Sequence, residues 1–130
     1  MTYKNIYEYF KGDDRLLQFF HPNSSPDSIE EAVLEIYDIM LDYAKSEKCN
    51  FVSNEIGYVF YSKNRLISFC VKPEKRTKSN LKDFGDFIKK TVGKHFNCYL
   101  FLNNSRAINF LMRMGMKVNK VDNSIILLTI

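Results

Sequence analysis

Apolar positions keep two rhythms along the 130-residue chain: a helical one through residue 48 and a strand-rich one from Cys49 onward. Tyr3, Ile6, Tyr7 and Phe10 fall on one helical face. Gly12-Asp13-Asp14 interrupts, and Leu16, Leu17, Phe19 and Phe20 are placed for a second short helix. His21 to Pro26 reads as a loop by composition. Ile29, Val33, Ile36, Met40 and either Tyr43 or Ala44 then recur at helical spacing, with Glu30, Glu31 and Glu35 toward the end where the helix dipole favours acids. The spacing predicts a helix over 28–46, capped by Asp27 or Ser28.

After Cys49, Phe51-Val52 and Tyr58 to Tyr61 read as strands around an Asn54-Glu55-Ile56-Gly57 turn, and Ser62-Lys63-Asn64 is a further turn. Leu66 to Val71 is almost continuously apolar, the pattern of a strand covered on both faces, and Pro73 ends it. A basic loop over Lys72–Ser79 leads into a helix with Leu81, Phe84, Phe87, Ile88 and Val92 on one face, stopped by Gly93. Cys98 to Leu102 is the next strand. Ser105 to Met114 is a short helix ended by Gly115, and Met116–Val121 with Ser124–Ile130 form a closing hairpin. Strand, helix, strand across 66–102 is a crossover unit, which makes its two strands parallel, whereas the hairpins around it are antiparallel. The expected fold class is α/β (α+β): one domain over 1–130, mainly helical over 1–48, with a mixed central sheet over 49–130 flanked by helices.

Composition narrows the classes. Hydrophobic residues are 45% of the chain and charged residues 26%, which excludes a disordered or collagen-like chain and suits one packed core. No apolar run is long enough to span a bilayer, so no membrane partner is expected, and MTYKNIYEYF lacks the apolar stretch of a secretory leader. Cys49, Cys70 and Cys98 are dispersed and odd in number, with no CxxC pair or Cys/His cluster. They read as small apolar residues of a reduced, cytoplasm-type protein, with no metal site expected. The net charge of +4 does not by itself call for nucleic acid. Lys, Asn, Ile, Phe and Tyr, all abundant here, have AT-rich codons, a hint of an AT-rich bacterial or viral genome.

Candidate chemistry sits where a parallel pair opens toward the carboxyl ends of its strands. That mouth is Arg76-Thr77-Lys78-Ser79-Asn80, where the following helix offers unpaired N–H groups and Arg76 and Lys78 add charge. Ser79 is placed to cap the helix or to donate to a phosphate oxygen. The stretch reads either as an anion or pyrophosphate cradle or as a solvated basic loop before an ordinary helix. His21 and His95 lack partners at catalytic spacing and read as structural or surface residues, and Met112, Met114 and Met116 read as core filling.

Val71, Pro73 and Arg76, followed by Asn104, Ala107, Ile108, Phe110 and Gly115, resemble two motifs of the GCN5-related N-acetyltransferases (GNAT): V-x-P-x-x-R-G-x-G-x-G at the end of the fourth strand, and N-x-x-A with a later aromatic and G-F. The resemblance spans about residues 50–130, and residues 66–116 are also similar to GNAT-like proteins of bacteriophages. It implies acetyl-CoA as cofactor and an amine as acceptor. Backbone groups near Cys70 and Val71 would orient the thioester, the loop from Arg76 through Thr77, Lys78, Ser79 and Asn80 to Leu81 would hold the pyrophosphate, and Asn104 with Ala107 would fix the coenzyme arm.

Three departures stand out. Thr77, Ser79 and Leu81 replace glycines that let the backbone approach the pyrophosphate. Leu111 replaces the tyrosine that protonates the leaving thiolate, a role left to Tyr99 or water. The usual first strand is not evident. Glu55, in a turn where the family often places a basic carboxylate, is the candidate base. Two alternatives follow. One is a GNAT fold that has lost catalysis and serves as a binding or assembly module, with a protein partner or as a homo-oligomer, and in a virion if the chain is phage-encoded. The other is nucleic-acid binding through Lys72, Lys75, Arg76 and Lys78, which lacks an interleaved aromatic platform.

Overall fold

The computed structural model describes residues 1–19 and 26–130. Phe20 and His21, and most of the loop expected around them, lie outside the described residues. Helix α1 (Tyr3–Phe10) starts at Thr2, whose Oγ1 accepts from the Asn5 N–H at 3.2 Å, and it buries Ile6 and Phe10. The second short helix is a 3-10 turn, Leu16–Phe19, with Leu16 and Phe19 buried. Helix α2 (Ile29–Ser46) is capped by Ser28, which accepts from the Glu31 N–H at 3.2 Å, while the Glu31 carboxylate reaches back to the Asp27 N–H at 2.8 Å. Tyr43, half-buried, continues the inner face of α2, and Ala44 is exposed.

Six strands follow: β1 (Asn50–Ser53), β2 (Gly57–Ser62), β3 (Arg65–Val71), β4 (Asn97–Phe101), β5 (Lys117–Val121) and β6 (Ile125–Thr129). They form one sheet in the order β1-β2-β3-β4-β6-β5. Only β3 and β4 pair in parallel, as the crossover rule requires, and helix α3 (Lys78–Val92) makes that crossover. Helix α4 (Ser105–Arg113) joins β4 to the closing β5–β6 hairpin. The fold class is α+β with a mixed sheet. Among the described residues no helix is long and apolar enough to cross a membrane.

The two faces of the sheet carry separate cores. Leu66, Val71, Cys98, Ile126 and Leu128 meet Phe84 and Ile88 of α3 and Leu111 of α4. Tyr58, Phe60 and Cys70 meet Ile6, Phe10, Val33 and Met40 of α1 and α2. Strand β3 feeds both, which is why its sequence is almost continuously apolar. Its register slips by one residue: Tyr61 pairs with Leu66 and Phe60 with Ser68, so Ile67 is an inserted, bulged residue.

One local expectation is corrected. The basic stretch is not one loop to Ser79: Pro73–Lys75 forms a 3-10 turn, and α3 begins at Lys78. The cap is Thr77, whose Oγ1 accepts from the Asn80 N–H at 3.2 Å, and Ser79 is already inside the first turn.

Candidate functional site

Strands β3 and β4 pair only at their beginnings, where Arg65 is opposite Asn97 and the Asn97 N–H donates to the Asn64 carbonyl at 3.0 Å. Beyond that point β3 pairs only with β2, and β4 only with β6, so the sheet splits into a wedge open at its carboxyl ends. The Lys72 N–H donates to the Ile56 carbonyl at 2.9 Å and sets the phase of the β2–β3 ladder. By alternation Cys70 turns its backbone groups toward β2, and Phe69 and Val71 turn theirs into the wedge.

A cleft of about 1390 Å³ passes through this wedge. On one side of the sheet it is walled by Lys78, Leu81, Lys82 and Lys89 of α3 and by Phe110 and Arg113 of α4. On the other it runs between Ile36, Ile39 and Tyr43 of α2 and the sheet residues Ile67, Tyr99 and Ile125. Lys78 and Lys82 are one helical turn apart on the cleft side of α3, a placement suited to an anion chain running along the helix. Among the described residues no cluster of three or more His, Cys, Asp or Glu side chains is placed to hold a metal ion.

The mouth of the cleft is tied together by Asp13, in the turn after α1. Its carboxylate, on a residue only 2% exposed, accepts from Arg76 Nη2 at 2.9 Å, from Arg106 Nη2 at 2.8 Å and Nη1 at 3.2 Å, and from the Arg15 N–H at 3.4 Å. Arg76 also donates from Nε to the Val71 carbonyl at 3.0 Å, and Arg106 lies 4.5 Å over the Phe19 ring. Burial by itself raises the Asp13 carboxyl. The hydrogen bonds from Arg106 and Arg76, with their charges, outweigh it and hold the group below the usual carboxylate range. One carboxylate thus joins the N-terminal segment, the end of β3 and the start of α4.

Of the residues singled out from sequence, Cys70, Val71, Arg76, Lys78, Leu81, Tyr99, Asn104 and Ala107 line the cleft. Thr77, Ser79 and Asn80 are absent from its described lining, and Thr77 and Asn80 close the α3 cap with each other. Glu55 is exposed on the β1–β2 turn and is likewise absent from that lining. Asn104 caps α4, its Oδ1 accepting from the Ala107 N–H at 3.3 Å. Leu111 is fully buried in the α3–α4 core and presents nothing to the cleft. The Cys70 thiol faces α1, with Sγ 3.4 Å from the Tyr9 carbonyl, and burial pushes it up to about 12.

Sequence reasoning missed Asp13, Arg106, Lys82 and the α2 wall. Asp13 showed only as part of a helix break, and nothing local links it to side chains 63 and 93 residues away. Lys82 was legible as the residue one turn beyond Lys78.

No protein-family model matches the sequence, and no curated protein matches it significantly. Solved structures do share its fold. The chain is similar to a probable GNAT-family acetyltransferase from Chromobacterium violaceum (TM-score 0.59, 12% identity, 98% of this chain and 76% of that one). It is similar to the PaiA N-acetyltransferase from Thermoplasma acidophilum, solved with coenzyme A (TM-score 0.58, 19% identity, covering 98% and 88%). It is also similar to the microcin C7 self-immunity acetyltransferase MccE, solved with acetyl-CoA and AMP (TM-score 0.54, 13% identity, covering 98% and 87%). At these identities the likeness establishes the GNAT fold.

Proposed function

We propose that this protein is an N-acetyltransferase that moves an acetyl group from acetyl-CoA to an amine. The observation that carries the proposal is the wedge: a parallel pair joined only at Arg65 and Asn97, with Phe69 and Val71 turning backbone groups into a through-going cleft. Neighbours of the same fold that hold coenzyme A or acetyl-CoA support it.

In this reading the N–H groups of Phe69 and Val71 orient the thioester carbonyl. Leu81 and Phe110 line the path of the apolar arm. Lys78 and Lys82, on the cleft side of α3, face the phosphates. Arg76 lends less charge than its sequence position suggests, because Asp13 already pairs with it. Its effect on the site is to brace the Val71 carbonyl at the end of β3. Asn104 holds the start of α4 beside the arm. The departing thiolate takes its proton from Tyr99 or from water, since Leu111 has none to donate.

Calorimetric titration with acetyl-CoA tests this. Wild type should bind. Replacing both Lys78 and Lys82 with Ala should weaken binding by at least about tenfold, because charge-assisted phosphate contacts contribute about 1.5–3 kcal/mol each. Binding should weaken with added salt. No heat at millimolar acetyl-CoA sinks the enzyme reading. It would promote the non-catalytic binding module, which is favoured by the Asp13 grip on Arg76 and by the burial of Leu111.

A further inference from the structure

The two halves of the cleft differ in chemistry. The α3–α4 half carries Lys78, Lys82, Lys89 and Arg113. The α2 half is walled by Ile36, Ile39, Ile67 and Ile125, with Tyr43 and Tyr99 supplying rings. Ile39 is 42% exposed and Tyr99 is 50% exposed, so both banks of this half present large apolar surface. Among the described lining residues the one carboxylate is Asp86, and it belongs to α3. Asp13, nearby, is engaged by two arginines, and Glu47, behind Tyr43, by Arg65 at 3.1 Å.

We propose that the acceptor taken up in the α2 half is a weakly basic monoamine on an aromatic or branched aliphatic body, and not a polyamine. The proposal rests on the acetyl-transfer reading and adds the substrate class to it. Two physical points support it. Isoleucine and tyrosine walls gain by covering hydrocarbon, and the described lining of this half carries no carboxylate to pair with an ammonium group. The nucleophile is the neutral form: an amine with a pKa near 8 is about one-tenth neutral at pH 7, against about one part in 2,500 for a lysine-like amine near 10.4. The nitrogen lone pair forms the new C–N bond at the thioester carbonyl, the C–S bond breaks, the nitrogen gives up one proton and the departing thiolate takes one. The products are the acetamide and free coenzyme A thiol.

The test compares L-phenylalaninamide with spermidine as acceptors, reading thiol release at saturating acetyl-CoA, alongside calorimetric binding of acetyl-CoA. Expected is a kcat/KM for L-phenylalaninamide at least about tenfold above that for spermidine, the range over which a shaped apolar pocket discriminates. Ile39→Lys should remove most of that preference while the variant still binds acetyl-CoA, which shows that it is folded. Equal or greater activity on spermidine overturns the proposal, as does an Ile39→Lys variant with the preference intact. Acetyl-CoA bound without acetylation of L-phenylalaninamide also overturns it and leaves the donor site standing. No acetyl-CoA binding at all overturns the acetyltransferase reading, and this inference with it.

Discussion

Asp13 is the residue on which three segments depend. A carboxylate taken out of water is unfavourable unless its oxygens are satisfied, and here two guanidinium groups and a backbone N–H satisfy them. Asp13→Asn keeps the shape and removes the charge, leaving Arg76 and Arg106 facing each other unneutralised. Both arginines retain some access to water, so the expected loss at pH 7 is about 2 kcal/mol, the scale of one charge-assisted hydrogen bond, read from urea unfolding. The pH dependence has a definite sign. The folded carboxyl titrates below its ordinary value, so its contribution is complete above about pH 4 and is lost as the pH falls through the lower folded value. The gap between wild type and Asp13→Asn should therefore be constant from pH 5 to 7 and shrink below pH 4. A gap that persists unchanged at pH 3 would show that the charge is not what Asp13 contributes. Gly57 matters for a different reason. A Cβ there would run into the Cys70 carbonyl, so glycine lets β2 lie against the end of β3 that fronts the wedge.

At the scale of elements, α4 shows how an ending is built. The Met116 N–H donates to the Leu111 carbonyl and the Gly115 N–H to the Met112 carbonyl, both at 3.1 Å, the pair of bonds that closes a helix through a left-handed residue. Gly115 supplies that residue with φ of +108°, and Met116 then buries against the α3–α4 core. Nothing lies within 4 Å of a Cβ built at Gly115, so substitution there is penalised by backbone conformation alone. Gly115→Val should lower stability by about 1–2 kcal/mol, and Gly115→Asn by less, since asparagine tolerates this region better. Thermal unfolding of the two variants decides it, and equal midpoints would mean that the left-handed ending is dispensable. Strand β3 is the other telling element. The inserted Ile67 lets one strand send Leu66 and Val71 to one core and Cys70 to the other, while Ile67 itself lines the α2 half of the cleft.

In the molecule as a whole, two cores share one sheet, and the thiols report on both. Cys70 lies in the α1–α2 core and Cys98 in the α3–α4 core, each pushed up to about 12 by burial. Cys49 is half-buried, raised first by burial and then by the Glu47 charge. Under native, non-reducing conditions at pH 8, a disulfide-exchange reagent should modify Cys49 alone. Cys70 and Cys98 should react together, at the rate of global unfolding, and three thiols should titrate in denaturant. Fast native reaction of Cys70 but not Cys98 would mean that the N-terminal helices open independently of the rest, a result that the Asp13 tie argues against.

Much of this architecture is present in local sequence. Periodicity and capping residues alone mark α2 from Ser28 to Ser46. They mark the apolar β3, the α3 face ending at Gly93, α4 ending at Gly115 and the final hairpin, because caps, glycines and apolar spacing act over a few residues. The order of the crossover makes β3 and β4 parallel, and motif spacing pointed to the wedge mouth and to Asn104. Only tertiary structure decided the rest. It set Arg76 on Asp13, placed Thr77 rather than Ser79 at the cap and kept Glu55 out of the described cleft lining. It also set α2 isoleucines across the cleft from Tyr99 of β4 and Ile125 of β6, making that half apolar. The physical reason is range: a helix forms from neighbours three and four residues apart, but a buried ion pair or a groove wall forms from whichever side chains the folded sheet brings together, and no local pattern carries that pairing.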